Sequence, residues 1–264
     1  MNGIKNVILT AALCLCAFLP NGCDHAAATT TVPPITLNIS AAASLTDALA
    51  EINTVYTTEH PWVTIIPNFG SSGTIQQQIE NGAPCDVFVS AATAQMDNLE
   101  KKGLLWEGTR RNLLINSLVL IVPAQSKLDI RGFSSLTAEN VKRIAVGDPA
   151  SVPAGAYARQ AFELLGLAAA VQPKLVLGGN VRQVLTYVET GDADAGVVFV
   201  TDALSTNKVS IIASAPEEIN AKIAYPVAII KSSKNPPAAG DYIDFLLSTA
   251  GRTVFEKYGF RMAY

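Results

Sequence analysis

The apolar and polar positions of this chain alternate between short strand-like runs and longer helical stretches. Apolar residues alternate with polar ones over residues 35–39, as in a strand. The apolar positions that follow recur every three or four residues, as in a helix packed on one face: Leu45, Ala48, Leu49 and Ile52. Because the same change from strand to helix recurs along the chain, the sequence predicts an α/β fold built on parallel strands.

Two further apolar stretches predict how the chain divides. Residues 113–122 are apolar apart from Asn116 and Ser117, and this break predicts a crossing from a first lobe to a second. Residues 225–230 predict the return crossing. We therefore expect two lobes, each a mostly parallel sheet flanked by helices, with the two crossover strands as the hinge. The first lobe would comprise residues 35–117 plus 226–264, and the second lobe residues 118–225.

Four predicted helices begin at small or polar residues. Two starts lie in each lobe: Ser44, Ser72 with Gly73, residues 153–155, and Asn180 with Val181. The second start follows a strand predicted for residues 62–66, which Pro67 should end. Ser44 and Asp47 have the spacing of a capping box, so Ser44 is predicted to cap its helix. Capping alone would explain one such serine, but four starts together favour an anion site, since helix N-termini present free N–H groups.

These helix starts carry no Lys or Arg where a ligand would touch them. Hydroxyl and N–H groups alone can hold a desolvated dianion, because hydrogen bonds to charge are about twice as strong as neutral ones. Sulfate, molybdate and tungstate only accept hydrogen bonds near neutral pH, whereas a protonated phosphate needs an acceptor for its own hydrogen. A donor-only site therefore disfavours phosphate. That preference would weaken if Asp47, Asp148 or Asp202 turned inward.

The first residues of the chain have the pattern of an export signal. A short positive region followed by an apolar core, too short for a permanent membrane span, predicts a signal peptide over residues 1–22. Residues 19–23 resemble the cleavage box of bacterial lipoproteins, which predicts lipidation of Cys23. The alternative is cleavage near residues 26–28, which would release a soluble protein. Residues 23–34 form the predicted flexible tether.

Composition and charge exclude several classes of partner. The chain has 264 residues, 49% of them hydrophobic, which is enough for two compact lobes. Loss of residues 1–23 removes only Lys5, leaving 18 of the 19 basic residues against 22 acidic ones and a net charge of −4. Such a surface gives no reason to expect nucleic acid or an anionic membrane as a partner. Cys85 would then be the only structural cysteine, so no internal disulfide forms, and a buried residue is favoured over a reactive thiol.

Several separated motifs occur together in one order. They are residues 41–46, 82–84 with 86–88, 116–118, 145–149 followed by 152–155, 225–227 and 258–260. On these motifs the chain resembles the periplasmic molybdate-binding proteins of bacterial ABC transporters, over residues 35–260. The resemblance implies the two-lobed fold of type II periplasmic binding proteins, closing on one tetrahedral oxyanion. It also implies an exported monomer of the periplasm or cell envelope that binds molybdate and tungstate and passes them to a membrane permease.

The resemblance further implies which residues touch the oxyanion. The family's contacts fall on Ser44 and Ser72, through hydroxyl and backbone N–H, and on Ala154 and Val181, through backbone N–H. Phe199 stands where many relatives have a tyrosine hydroxyl, and this departure removes a donor. No cofactor is expected, and molybdenum would be bound only as its oxyanion, with no metal ligands from the protein.

Two other functions remain as alternatives. A binding protein for sulfate or another tetrahedral oxyanion would have the same fold, so ligand titration has to separate them. A serine hydrolase would use Ser44 or Ser72 as its nucleophile. The two histidines, His25 in the tether and His60 on a turn, offer no plausible base, and no Gly-x-Ser-x-Gly elbow occurs. The sequence therefore predicts a binding protein with no catalytic residues.

Overall fold

The computed structural model describes residues 33–263. The predicted signal peptide, Cys23 and residues 24–32 of the predicted tether lie outside the described residues. Within residues 33–263 there are eleven strands: β1 (Ile35–Ala42), β2 (Val63–Gly70), β3 (Val87–Val89), β4 (Arg111–Ile115), β5 (Leu118–Pro123), β6 (Ile144–Gly147), β7 (Leu175–Gly178), β8 (Ala195–Phe199), β9 (Val209–Ser214), β10 (Ala224–Ile229) and β11 (Arg261–Met262).

Helices connect most of these strands. The same residues contain ten α-helices: α1 (Thr46–Glu59), α2 (Ser72–Glu80), α3 (Thr93–Lys101), α4 (Pro153–Leu164), α5 (Ala168–Val171), α6 (Val181–Glu189), α7 (Val200–Leu204), α8 (Glu217–Asn220), α9 (Pro236–Leu247) and α10 (Thr249–Lys257). Short 3-10 helices span Ala43–Leu45, Phe133–Thr137 and Gln172–Lys174. Across this part of the chain no helix combines the length and apolar character needed to cross a membrane.

The strands form two separate sheets, which confirms the predicted two-lobed α/β fold. The first has the order β11-β4-β10-β3-β1-β2 and the second the order β7-β6-β8-β5-β9. The prediction of mostly parallel sheets is wrong in detail, because each sheet is mixed. β1 runs parallel to β2 and β3, and β6 runs parallel to β7 and β8, while the remaining pairs are antiparallel. The antiparallel pairs arise where the strands next to the crossings, β4, β5 and β10, join their sheets.

The chain passes from the first sheet to the second at Asn116 and Ser117. β4 ends at Ile115 in the first sheet, and β5 begins at Leu118 in the second. The chain returns to the first sheet with β10, and α9 and α10 then pack on that lobe. The two links between the lobes therefore reach the first sheet on neighbouring strands, since β4 and β10 are hydrogen-bonded to each other.

The predicted end of the second strand at Pro67 is wrong. β2 continues through Pro67 to Gly70, with Pro67 opposite Ile39 of β1. A proline cannot donate a ladder hydrogen bond, but β2 is the edge strand of its sheet and pairs only with β1. The extra residues carry the strand to the point where α2 begins.

The central strands are buried by helices on both faces. Val87, Phe88 and Val89 of β3 are all fully buried, and so are most residues of β8, which is why these strands read as continuous apolar runs. Cys85, just before β3, is a free, buried cysteine, as predicted. Burial raises the pKa of its thiol to about 11, so it stays protonated and unreactive near neutral pH.

Candidate oxyanion-binding site

The five predicted site residues line a single small cavity between the two lobes. The space between these residues that no protein atom fills is about 200 Å³ when its opening to solvent is counted, which leaves no room for a large organic ligand. The first lobe contributes Ala42, Ala43, Ser44, Gly70, Ser71, Ser72 and Ala91, and the second contributes Val152, Pro153, Ala154, Val181 and Phe199. No residue with a charged side chain is in this lining.

Ser44 lies at the end of β1 but does not cap α1, so that prediction is wrong. The chain passes through the 3-10 turn Ala43–Leu45 first, and the residue at the N-cap of α1 is Leu45, with no side-chain hydrogen bond. The turn directs the Ser44 side chain inward, where its Oγ lies 3.0 Å from the hydroxyl oxygen of Tyr225. Ser44 is 2% exposed, so its hydroxyl is confined to the cavity and this buried contact.

Ser72 is the first residue of α2, and its hydroxyl, like that of Ser44, does not cap a helix. Ser71 is the N-cap, and its Oγ accepts a hydrogen bond from the Thr74 N–H at 3.2 Å. The Ser72 Oγ instead accepts one from the Ala91 N–H at 2.9 Å. Since that oxygen already accepts from a backbone donor, the Ser72 hydroxyl hydrogen remains available for a group in the cavity.

Two helix N-termini of the second lobe complete the cavity. Ala154 is the second residue of α4, directly after Pro153, and Val181 is the first residue of α6. Asn180 caps α6 as predicted, its Oδ1 accepting from the Gln183 N–H at 3.0 Å. N–H groups in the first turn of a helix have no acceptor within that helix, so Ala154 and Val181 bring backbone donors and the positive ends of two helix dipoles to the site.

Close backbone packing holds the start of α4 in place. A Cβ on Gly155 would lie only 1.9 Å from the carbonyl oxygen of Gly147 in β6. Only glycine therefore allows α4 to approach the sheet this closely. The position of the Ala154 N–H thus depends on a residue that does not itself contact the cavity.

Phe199 ends β8 and contributes an apolar wall. Its ring is 1% exposed and packs edge-on against Tyr225, with 5.6 Å between the ring centroids. Tyr157 in α4 does not replace the missing tyrosine hydroxyl, because it donates its own hydroxyl to the Lys222 carbonyl at 3.2 Å. Tyr225 was missed as a site residue by the sequence analysis, although it lies in one of the family motifs.

The carboxylates near the helix starts do not line the cavity. Arg182 binds Asp47 at 2.8 Å and Asp202 at 2.7 Å, while Asp148 accepts a hydrogen bond from the Ala150 N–H at 3.0 Å. Asp202 does turn inward and is fully buried. Burial raises the pKa of its carboxyl to about 6, and the nearby Arg182 opposes that shift. The Asp202 Oδ2 has no hydrogen-bond partner among the described residues, but Asp202 is not one of the residues that line the cavity.

The two lobes touch each other beside the cavity. The Arg182–Asp47 ion pair joins α6 of the second lobe to α1 of the first. On the other side, the Gly73 N–H of α2 donates a hydrogen bond to the Ser151 carbonyl at 2.9 Å. These contacts require the lobes to be together, so the structure is that of a closed state.

A family described as bacterial extracellular solute-binding proteins matches residues 37–261. The chain belongs to this family. The Bacillus subtilis protein YvgL, assigned as an ABC transporter substrate-binding lipoprotein, is 42% identical over 97% of this chain and 98% of its own. The molybdate-binding protein ModA of Haemophilus influenzae is 38% identical over 85% of this chain and 89% of its own.

A solved structure has the same fold. The substrate-binding domain of a protein assigned as a molybdenum ABC transporter, from Clostridium difficile, has a TM-score of 0.68 and 42% identity, covering 87% of this chain and 100% of that one. This solute-binding protein therefore shares sequence and fold over nearly all of its described residues with the proteins it resembles.

The packing of α4 can be tested by Gly155→Ala. The added methyl group would collide with the Gly147 carbonyl, so we expect the free energy of unfolding to fall by about 1–3 kcal/mol in urea denaturation. Gly240→Ala, in helix α9, is the matched control, since the added Cβ would lie 4.0 Å from the nearest atom, Ile229 Cδ1. It should be neutral or slightly stabilising. Equal stability of the two variants would contradict this account of how α4 is positioned.

Proposed function

We propose that this solute-binding protein captures molybdate, and also tungstate, in the cavity between its lobes and delivers it to the permease of an ABC transporter. The observation that carries the proposal is a buried cavity lined by hydroxyl and N–H donors from four helix starts, with no charged side chain among its lining residues. The ModA relative at 38% identity supports the choice of ligand. No catalytic step is proposed for the site.

The proposed contacts are shared between the lobes. The Ser44 and Ser72 hydroxyls and N–H groups would bind oxyanion oxygens from the first lobe, and the Ala154 and Val181 N–H groups from the second. Hydrogen bonds to an ionised acceptor are the stronger kind, and the dipoles of α2, α4 and α6 add partial positive charge at their N-termini. The dianion is thereby held intact, without a counterion from the protein.

Selectivity follows from the absence of an acceptor. A phosphate that carries a proton would bury that hydrogen without a partner, which costs about 1–3 kcal/mol. Sulfate carries no proton and differs from molybdate chiefly in size, so the fit of the closed cavity has to reject it. Sulfate is therefore the competing ion against which the ligand assignment has to be tested.

The ligand assignment can be tested by calorimetric titration of the purified protein lacking residues 1–23. We expect one molybdate or tungstate per chain, bound roughly a hundredfold or more tightly than sulfate or phosphate, from about 3 kcal/mol of discrimination. Ser72→Ala should weaken molybdate binding, because it removes one donor. Equal or tighter binding of sulfate would overturn the assignment, and hydrolysis of an ester by the wild type would revive the hydrolase alternative.

Closure is proposed to be coupled to binding, because only the closed state can offer donors from both lobes to one ion. Gly73 is the residue through which this coupling can be tested. A Cβ at Gly73 would lie 2.5 Å from the Ser151 carbonyl oxygen across the cleft. Alanine favours helix within α2, so the substitution should oppose closure without harming the first lobe.

We therefore expect Gly73→Ala to bind molybdate roughly ten- to a hundredfold more weakly, while its unfolding temperature without ligand is unchanged or higher. Small-angle scattering should show the wild type becoming more compact with saturating molybdate and the variant remaining more open. Gly240→Ala, in a helix away from the cleft, should behave as the wild type in both measurements. Full compaction of Gly73→Ala at unchanged affinity would contradict the proposed closure.

Export and anchoring complete the proposal. We infer that Cys23 becomes the lipidated first residue of the mature protein, which would hold it at the outer face of the cytoplasmic membrane, close to its permease. The sequence of residues 19–23 and the B. subtilis lipoprotein relative support this inference. Mass spectrometry of the mature protein should find a diacylglycerol-modified Cys23, and Cys23→Ala should appear in the soluble fraction. An unmodified N-terminus beyond residue 23 would refute the anchor.

A further inference from the structure

A chain of buried hydrogen bonds leads from the first crossing to the site. The Asn116 Nδ2 donates to the Tyr225 hydroxyl oxygen at 3.1 Å, and that oxygen lies 3.0 Å from the Ser44 Oγ. Asn116 is 3% exposed, Tyr225 0% and Ser44 2%. Outside the cavity these groups have no contact with solvent, so the hydrogens between Asn116, Tyr225 and Ser44 have to be placed within the protein.

The direction of these hydrogen bonds follows from one backbone contact. The Asn116 Oδ1 accepts from the Ser117 N–H at 2.8 Å, so the amide nitrogen, which can only donate, faces Tyr225. Burial raises the pKa of Tyr225 well above its ordinary value, so its hydroxyl keeps its hydrogen. Since the Tyr225 oxygen already accepts from Asn116, its hydrogen points to the remaining partner, the Ser44 Oγ.

We propose that Asn116 and Tyr225 are positioning residues that orient the Ser44 hydroxyl as a hydrogen-bond donor to the oxyanion. This inference rests on the proposed function of the site. A serine hydroxyl can either donate or accept, and the hydrogen bond received from Tyr225 leaves the Ser44 hydrogen to the ligand. The Ala91 N–H acts on Ser72 in the same way, so both hydroxyls of the first lobe are set as donors.

The same chain of hydrogen bonds would disfavour a ligand that carries a proton. The Ser44 Oγ already accepts a hydrogen from Tyr225, so a ligand proton could use only its second lone pair. If Ser44 instead turned its own hydrogen to Tyr225, the Tyr225 oxygen would receive hydrogens from both Asn116 and Ser44, and its own hydrogen would be left buried without an acceptor. Ser44 and Tyr225 both lie in the first lobe, and the Asn116 Nδ2 also donates a hydrogen bond to the Thr201 Oγ1 of the second lobe at 2.9 Å, so in the closed state Asn116 is held by groups from both lobes.

A double-mutant cycle tests the proposal. The variants are Tyr225→Phe, Ser44→Ala and the combination, each titrated calorimetrically with sodium molybdate. Tyr225→Phe keeps the buried ring and should weaken molybdate binding roughly tenfold, which is the effect expected from the loss of one hydrogen bond. In the Ser44→Ala background the same change should have little effect, because Tyr225 acts through Ser44. Tyr242→Phe is the matched control, since its equally buried hydroxyl bonds Asn53 Oδ1 away from the site, and its affinity should equal that of the wild type.

Asn116→Leu is a second test of the proposal. This substitution should weaken molybdate binding in the native background and weaken it much less in the Ser44→Ala background. Thermal unfolding of each variant verifies that it is folded. Unchanged affinity of Tyr225→Phe, or equal losses with and without the Ser44 hydroxyl, would overturn the proposal. Failure of the wild type to bind molybdate would instead refute the proposed function, so the two failures are distinguishable.

Discussion

The burial of a doubly charged ion without a counterion is the constraint on which the site depends. Removing a dianion from water is costly unless hydrogen-bond donors replace its hydration, and in this cavity every candidate donor is a hydroxyl or a backbone N–H. No single helix start can supply enough of them. Four starts from two lobes have to meet around one small cavity, and the small residues at 41–44, Gly73 and Gly155 allow the backbones to approach that closely.

The two lobes contribute in different ways. In the first lobe, Ser44 and Ser72 each have an internal hydrogen-bond partner, Tyr225 and the Ala91 N–H, and in the proposed mode of binding their hydroxyl hydrogens would go to the ligand. In the proposed mode of binding, the second lobe would bring the N–H groups of Ala154 and Val181 to the ion only on closure. In the closed state, Arg182 and Asp47 join the lobes beside the cavity. Binding would thus favour the closed state, because that state alone completes the proposed set of donors.

The fold and the helix starts that line the cavity could be predicted from the sequence because their signals are local. The strand and helix periodicities, the break at Asn116 and Ser117 and the cap at Asn180 each depend on neighbouring residues. Ser44 shows where such reasoning fails: its spacing to Asp47 fits a cap, but a tertiary contact with Tyr225, 181 residues away, decides its orientation. The predicted strand end at Pro67 was wrong for a similar reason, since the local sequence does not indicate that β2 lies at the edge of its sheet.

X-ray absorption at the molybdenum K-edge, with molybdate bound to the purified protein, tests the central claim most directly. An ion held only by hydrogen bonds keeps its own four oxygens, so the account predicts the spectrum of tetrahedral molybdate, with its strong pre-edge feature and a single short shell of molybdenum–oxygen distances. A weakened pre-edge feature and additional oxygens at longer distance would mean that protein groups coordinate the metal itself. That result would contradict a donor-only site.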